Sequence, residues 1–138
     1  MASRGFTLLE MMVALAIAAI LIMLAAWRYQ AEQERAAQAA VAALLHHNAV
    51  FMEQYYSQYG RYKETAARWP DLPYTQYPEQ GTARYMLDFA SAARNTDNGY
   101  FVLRATAVDA QLGYVELTQT GIMKYCVLDG SKERCRLA

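Results

Sequence analysis

Glu10 is the first residue whose chemistry calls for a partner. It opens an apolar run from Met11 to Trp27 and is the only charge between Phe6 and Trp27. A carboxylate in the apolar part of a membrane helix costs ~2.5–3.5 kcal/mol on insertion scales, so it needs a cation at its own depth. The natural cation is an α-amine. Cys126 and Cys135 form a second group. An export signal upstream places them in an oxidising compartment, where such a pair reads as a disulfide. His46 and His47 are adjacent on a helix, point apart, and lie far from the cysteines, so no metal site and no cofactor are expected. The third group is cationic. Arg61, Lys63 and Arg68 are opposed by Glu64 and Asp71, and Lys124, Lys132, Arg134 and Arg136 by Asp129 and Glu133. Lys and Arg contacts to phosphate dominate DNA affinity, and Tyr62, Trp69 and Tyr125 lie among these cations. The chain has no nucleophile–base motif, Gly-rich phosphate loop or metal-ligand spacing, which argues against an enzyme.

The element that must position Glu10 is a membrane helix. Phe6 to Trp27 makes about 33 Å of helix, against a hydrocarbon core of ~30 Å. The run is too long for a signal-peptide core, and no good small-residue cleavage site follows it. The short basic leader ending in Gly5 points instead to a cut before the run. That cut makes Phe6 a charged N-terminus one helical turn from Glu10. In subunits staggered along an axis, one Glu10 then meets the next subunit's amine. The boundaries expected are a leader at 1–5, a spanning segment at 6–27 and one exported domain at 28–138. Lys plus Arg total 13 and Asp plus Glu 13, so no global charge draws the chain to nucleic acid or anionic lipid. Without Arg4 the side chains sum to about −1.

The helix is expected to continue to residue 59, with Val41, Leu44/Leu45, Phe51/Met52, Tyr55 and Tyr59 as its apolar stripe. Gly60 fits the position just past a helix C-terminus. Residues 61–82, which hold Pro70, Pro73 and Pro78, read as loop. Strands are expected at Arg84–Ala90, Tyr100–Val108, Gly113–Gln119 and Gly121–Val127, with turns at Asn95–Gly99 and Asp129-Gly130. Short connections make them an antiparallel four-stranded meander covered on one face by the helix, an α+β fold.

Gly5-Phe6-Thr7-Leu8-Leu9-Glu10, directly followed by the apolar run, resembles the class III signal of type IV prepilins and pseudopilins. The resemblance implies cleavage between Gly5 and Phe6 by a membrane-embedded prepilin peptidase, N-methylation of Phe6, and a role for Glu10 in filament packing. It implies the type IV pilin fold, with a disulfide-bonded C-terminal loop. Prepilins often carry a kinking Pro where this chain has Trp27, and the absence of that Pro argues for a straighter helix. Asn48 to Tyr56, Gly60-Arg61-Tyr62-Lys63, Trp69-Pro70-Asp71-Leu72-Pro73 and Phe101 to Asp109 are similar to the ComP-type minor pilins, which act as pilus-associated DNA receptors in natural transformation. This chain has two cysteines where that family pattern has four, and a short tail between them.

The resemblance implies a minor pilin of the inner membrane and the extracellular pilus filament, with its C-terminal domain periplasmic before assembly. Its expected partners are other type IV pilins, the prepilin peptidase and double-stranded DNA. The candidate DNA contacts are Arg61, Lys63 and Arg68 in the loop after the helix, and Lys124, Lys132, Arg134 and Arg136 at the C-terminal edge. Where those two margins adjoin, the positives form one stripe along which a duplex lies, with little preference between sequences. A structural or adhesive minor pilin without DNA binding, and a type II secretion pseudopilin, are the alternatives.

Overall fold

The computed structural model describes residues 6–90 and 99–138. The leader with Gly5, and Asn95 to Asn98 of the expected turn, lie outside the described residues. The chain divides into two units, residues 1–37 and 38–138, and one helix, α1 (Leu8–Tyr59), supplies residues to both.

In the first unit the helix begins where its capping chemistry dictates. The Thr7 hydroxyl accepts a hydrogen bond from the Glu10 backbone N–H at 3.3 Å, satisfying one of the orphan donors of the first turn. Thr7-Leu8-Leu9-Glu10 has the spacing of a capping box, a signal present in the sequence beside the Glu10 carboxylate. The apolar window that follows has a mean hydropathy of 2.7 and none of it is buried. It is long and apolar enough to cross a membrane, and the helix continues through Trp27 without a break.

In the second unit α1 ends at Gly60, whose φ is +67°. The Gly60 N–H bonds the Tyr56 carbonyl at 2.7 Å, the C-terminal closure for which glycine is suited. Val41, Leu45, Asn48 and Met52 are fully buried along the helix. The expected stripe holds at Val41, Leu45 and Met52, gains Asn48 between them and is lost at its C-terminal end. Asn48 is inside, whereas Tyr59 is 58% exposed, its ring tilted by 39° against Tyr55 with centroids 4.5 Å apart.

The sheet has six strands rather than four: β1 (Gln76–Tyr77), β2 (Tyr85–Phe89), β3 (Val102–Ala107), β4 (Tyr114–Thr118), β5 (Met123–Asp129) and β6 (Lys132–Leu137). They lie in chain order, each antiparallel to the next. β1 is two residues within the proline-rich stretch, too short to show a period. β6 replaces the expected tail because Asp129 and Lys132 close a two-residue turn at Gly130 and Ser131, and that turn sets a hairpin register. Every β6 side chain is exposed, so no apolar alternation advertises the strand. Tyr85, Leu87, Leu103, Ala105, Ala107, Val115 and Leu117 are buried at the expected spacing of two within their strands.

Candidate functional site

The two cation groups sit in different physical settings. The loop after α1 is fastened to the domain at several points. Asn48 Nδ2 donates to the Tyr74 carbonyl at 2.8 Å, and Tyr74 N–H donates back to Asn48 Oδ1 at 3.1 Å. The Tyr62 ring meets Phe101 edge-on at 4.9 Å, and its hydroxyl donates to Glu53 at 2.9 Å. Burial and the Glu53 bond hold the Tyr62 phenol above its usual range. Trp69 stacks flat on Phe89 at 4.5 Å. These anchors draw one of the loop's three cations inward. Lys63, expected on the surface, is 1% exposed, with its Nζ 5.5 Å from the Trp69 ring and without a hydrogen-bond partner among the described residues. Arg68 is exposed but held by Glu64 at 3.0 Å and Asp71 at 3.5 Å. Arg61 is exposed and carries no ion pair among the described residues.

The C-terminal cations follow the two-residue period of the β5–β6 hairpin. Lys124 falls on the sheet's outer face, where Glu116 takes Arg104 at 2.5 Å and Lys124 at 3.2 Å from the strands on either side. That carboxylate is enclosed by two cations, and Arg104 also lies over the Tyr114 ring at 4.3 Å. The Tyr114 hydroxyl donates to Glu133 of β6. Burial first, and then that bond, push the Tyr114 phenol up to about 12.

Lys132, Arg134 and Arg136 fall on the opposite face, directly across from Asp129, Val127 and Tyr125. Arg134 reaches Asp129 at 2.9 Å, and the Arg136 guanidinium lies 5.2 Å from the Tyr125 ring. With Val127, Leu128 and Cys135 these residues line a groove of about 440 Å³.

The expected single stripe does not form. Arg68 lines a groove along β2 with Trp69 and Phe89, while Lys132, Arg134 and Arg136 are on β6, with β3, β4 and β5 between. Four interstrand spacings are about 19 Å. Lys124, on the outer face and engaged by Glu116, is separated from the other three by the alternation of the strand.

Cys126 and Cys135 pair as expected. They are cross-strand neighbours with Cα atoms 4.1 Å apart. Glu133 lies near both sulfurs, but each thiol is spent on the other, which leaves no thiolate for a metal. Phe6 and Glu10 are exposed on the first unit. The residues missed by sequence reasoning are Asn48 and Thr7. The i, i+4, i+7 spacing of Asn48 from Val41 through Leu45 was a signal for Asn48, and the Thr-x-x-Glu pattern for Thr7.

Residues 1–26 match the prokaryotic N-terminal methylation motif. Residues 28–116 match the family described as type IV minor pilin ComP, DNA uptake sequence receptor. Among solved structures, the chain is similar to the minor DNA-uptake pilin ComP from Neisseria subflava, determined in solution by NMR. The two are 25% identical over 73% of this chain and 94% of that one, with a TM-score of 0.53. No curated protein sequence matches.

Proposed function

Because the chain belongs to the family of the type IV minor pilin ComP, DNA uptake sequence receptor, we propose that it is a minor subunit of a type IV pilus that binds DNA during natural transformation. Cleavage between Gly5 and Phe6 and methylation of Phe6 mature it. Glu10 then neutralises the amine of a neighbouring pilin in the filament. Residues 28–138 form the domain carried on the periplasmic side before assembly and on the filament afterwards.

The observation that carries DNA binding is the row of Lys132, Arg134 and Arg136 on one exposed face of an edge strand. On that face three cations stand against one carboxylate, Asp129. Arg61 is a further accessible cation, whereas Lys63 and Arg68 contribute little as folded. The contacts are to phosphate, so binding is weak, salt-sensitive and tolerant of sequence.

The test is a gel-shift titration of duplex DNA with the full chain in nonionic micelles at several salt concentrations. Each phosphate contact removed lowers the log–log salt slope by about 0.9. The pair Arg134→Glu and Arg136→Glu is expected to flatten the slope and weaken binding more than tenfold, while Arg68→Glu changes affinity less than twofold. Absence of a shift at about 100 μM protein, the weak end of non-specific binding, would return the domain to a structural or adhesive role.

A further inference from the structure

The groove beside the cation row is built for more than phosphate. Its floor is Tyr125 and Val127 of β5, and its rim is Arg134 and Arg136 of β6. Val127 is 45% exposed, so this apolar floor is open to solvent. A duplex keeps its bases stacked inside and shows an edge strand phosphate, sugar and, in a groove, base edges, but no base face. Such a ligand neutralises the rim and leaves the floor wet.

We infer that this groove takes single-stranded DNA, with phosphates along Lys132, Arg134 and Arg136 and unpaired bases turned onto Arg136, Tyr125 and Val127. The inference rests on the DNA-binding reading and names the form of DNA that fits the site. Three observations converge on it. First, the cations recur every second residue of a strand, about 6.8 Å apart, close to the step between successive phosphates of an extended strand. Second, Arg136 has Tyr125 and Arg134 has Val127 directly across the hairpin, so phosphate and base contacts are in register at those two positions, whereas Lys132 faces Asp129. Third, the Arg136 guanidinium already lies 5.2 Å from the Tyr125 ring. A base stacked on the outer guanidinium plane extends that pile, the aromatic and cationic platform on which single strands bind without sequence readout. The disulfide between Cys126 and Cys135 holds the two strands of the platform together.

Fluorescence anisotropy on the full chain in nonionic micelles tests this, comparing oligo-dT of about 15 nucleotides, within the span of single-strand sites, with a duplex of equal length at one salt concentration. Single-stranded DNA is expected to bind about fivefold tighter or more. Tyr125→Ala should remove that preference while leaving duplex affinity within about twofold, since base–aromatic stacking accounts for at least a fivefold effect. Tyr125→Phe should retain it. A 2-aminopurine base in the oligonucleotide should be quenched by the wild type and not by Tyr125→Ala. Val127→Ser, at an exposed position, probes the floor should Tyr125→Ala fail to fold. Equal or tighter duplex binding would overturn the inference and leave the DNA reading standing, as would a preference untouched by both floor variants. Failure of both DNA forms to bind would overturn the two together.

Discussion

The loop after α1 and the β5–β6 hairpin start from the same composition and end in opposite states. Each carries at least three cations, an aromatic residue and two acids within a short stretch. In the loop, Tyr62 and Trp69 must cover the open end of the core, and they draw Lys63 in with them. Arg68 is left to the local carboxylates. The hairpin lies at the sheet edge, where the two-residue period sorts its cations by face and leaves three of them in solvent. Charge on a surface is therefore decided by what the neighbouring apolar groups have to cover, and a count of lysines and arginines is blind to it. The hairpin also lies beyond residues 28–116, the stretch that matches the family, so the two regions differ in how far kinship speaks for them.

The sharpest way to break the hairpin is at its flank. Gly113 has φ +72°, and a Cβ there would lie 1.9 Å from the Cys126 carbonyl oxygen. Gly113→Ala is expected to cost about 3 kcal/mol or more, because clash and backbone strain add. A lower denaturation midpoint, accompanied by weakened DNA binding, checks it. On the loop side, Asn48→Ala strands the N–H and C=O of Tyr74 and should cost about 2 kcal/mol. If the loop is only a cover, DNA affinity should stay within twofold, as read in the same titration.

Lys63→Met sharpens the contrast further. It removes a buried ammonium that has no hydrogen-bond partner among the described residues and keeps the stem, so stability should rise by about 1 kcal/mol. The salt slope of DNA binding should not change. A slope reduced by one contact would mean that Lys63 reaches phosphate and that the two regions are less different than they look. The smallest effect is at Tyr114, whose phenol is raised to about 12 by burial and the Glu133 bond. A group whose pKa rises on folding contributes stability that is intact below its unfolded value and lost on the way up to its folded one. The hairpin's thermal midpoint should therefore fall as pH goes from 10 towards 12, and Tyr114→Phe should flatten part of that fall.

Much of this was legible before any coordinates. Glu10 in its apolar run, the Gly60 stop and the alternation of Tyr85, Leu87, Val115 and Leu117 are local patterns, and each sits where the pattern puts it. The cysteine pair was legible for a similar reason, because its compartment and count leave few choices. The burial of Lys63 was not. It depends on Trp69 meeting Phe89, twenty residues away in sequence, and no local period encodes that contact. β6 was hidden by full exposure on both faces, and β1 by its length. The split of Lys124 from Lys132, Arg134 and Arg136 followed from a register that only the hairpin turn sets.

The order of the sheet also bears on how this domain is made. Each strand's partner is the next strand in the chain, from β1 to β6. A polypeptide emerging N-terminus first can thus close each pairing as soon as the following strand appears, and no edge waits long for a distant mate. The thiols come together only when β6 has folded back on β5. Oxidation is then a final act performed on an ordered hairpin, and a cell that exports this pilin without an oxidant should accumulate a domain with its strands paired to β6 and two free thiols facing each other.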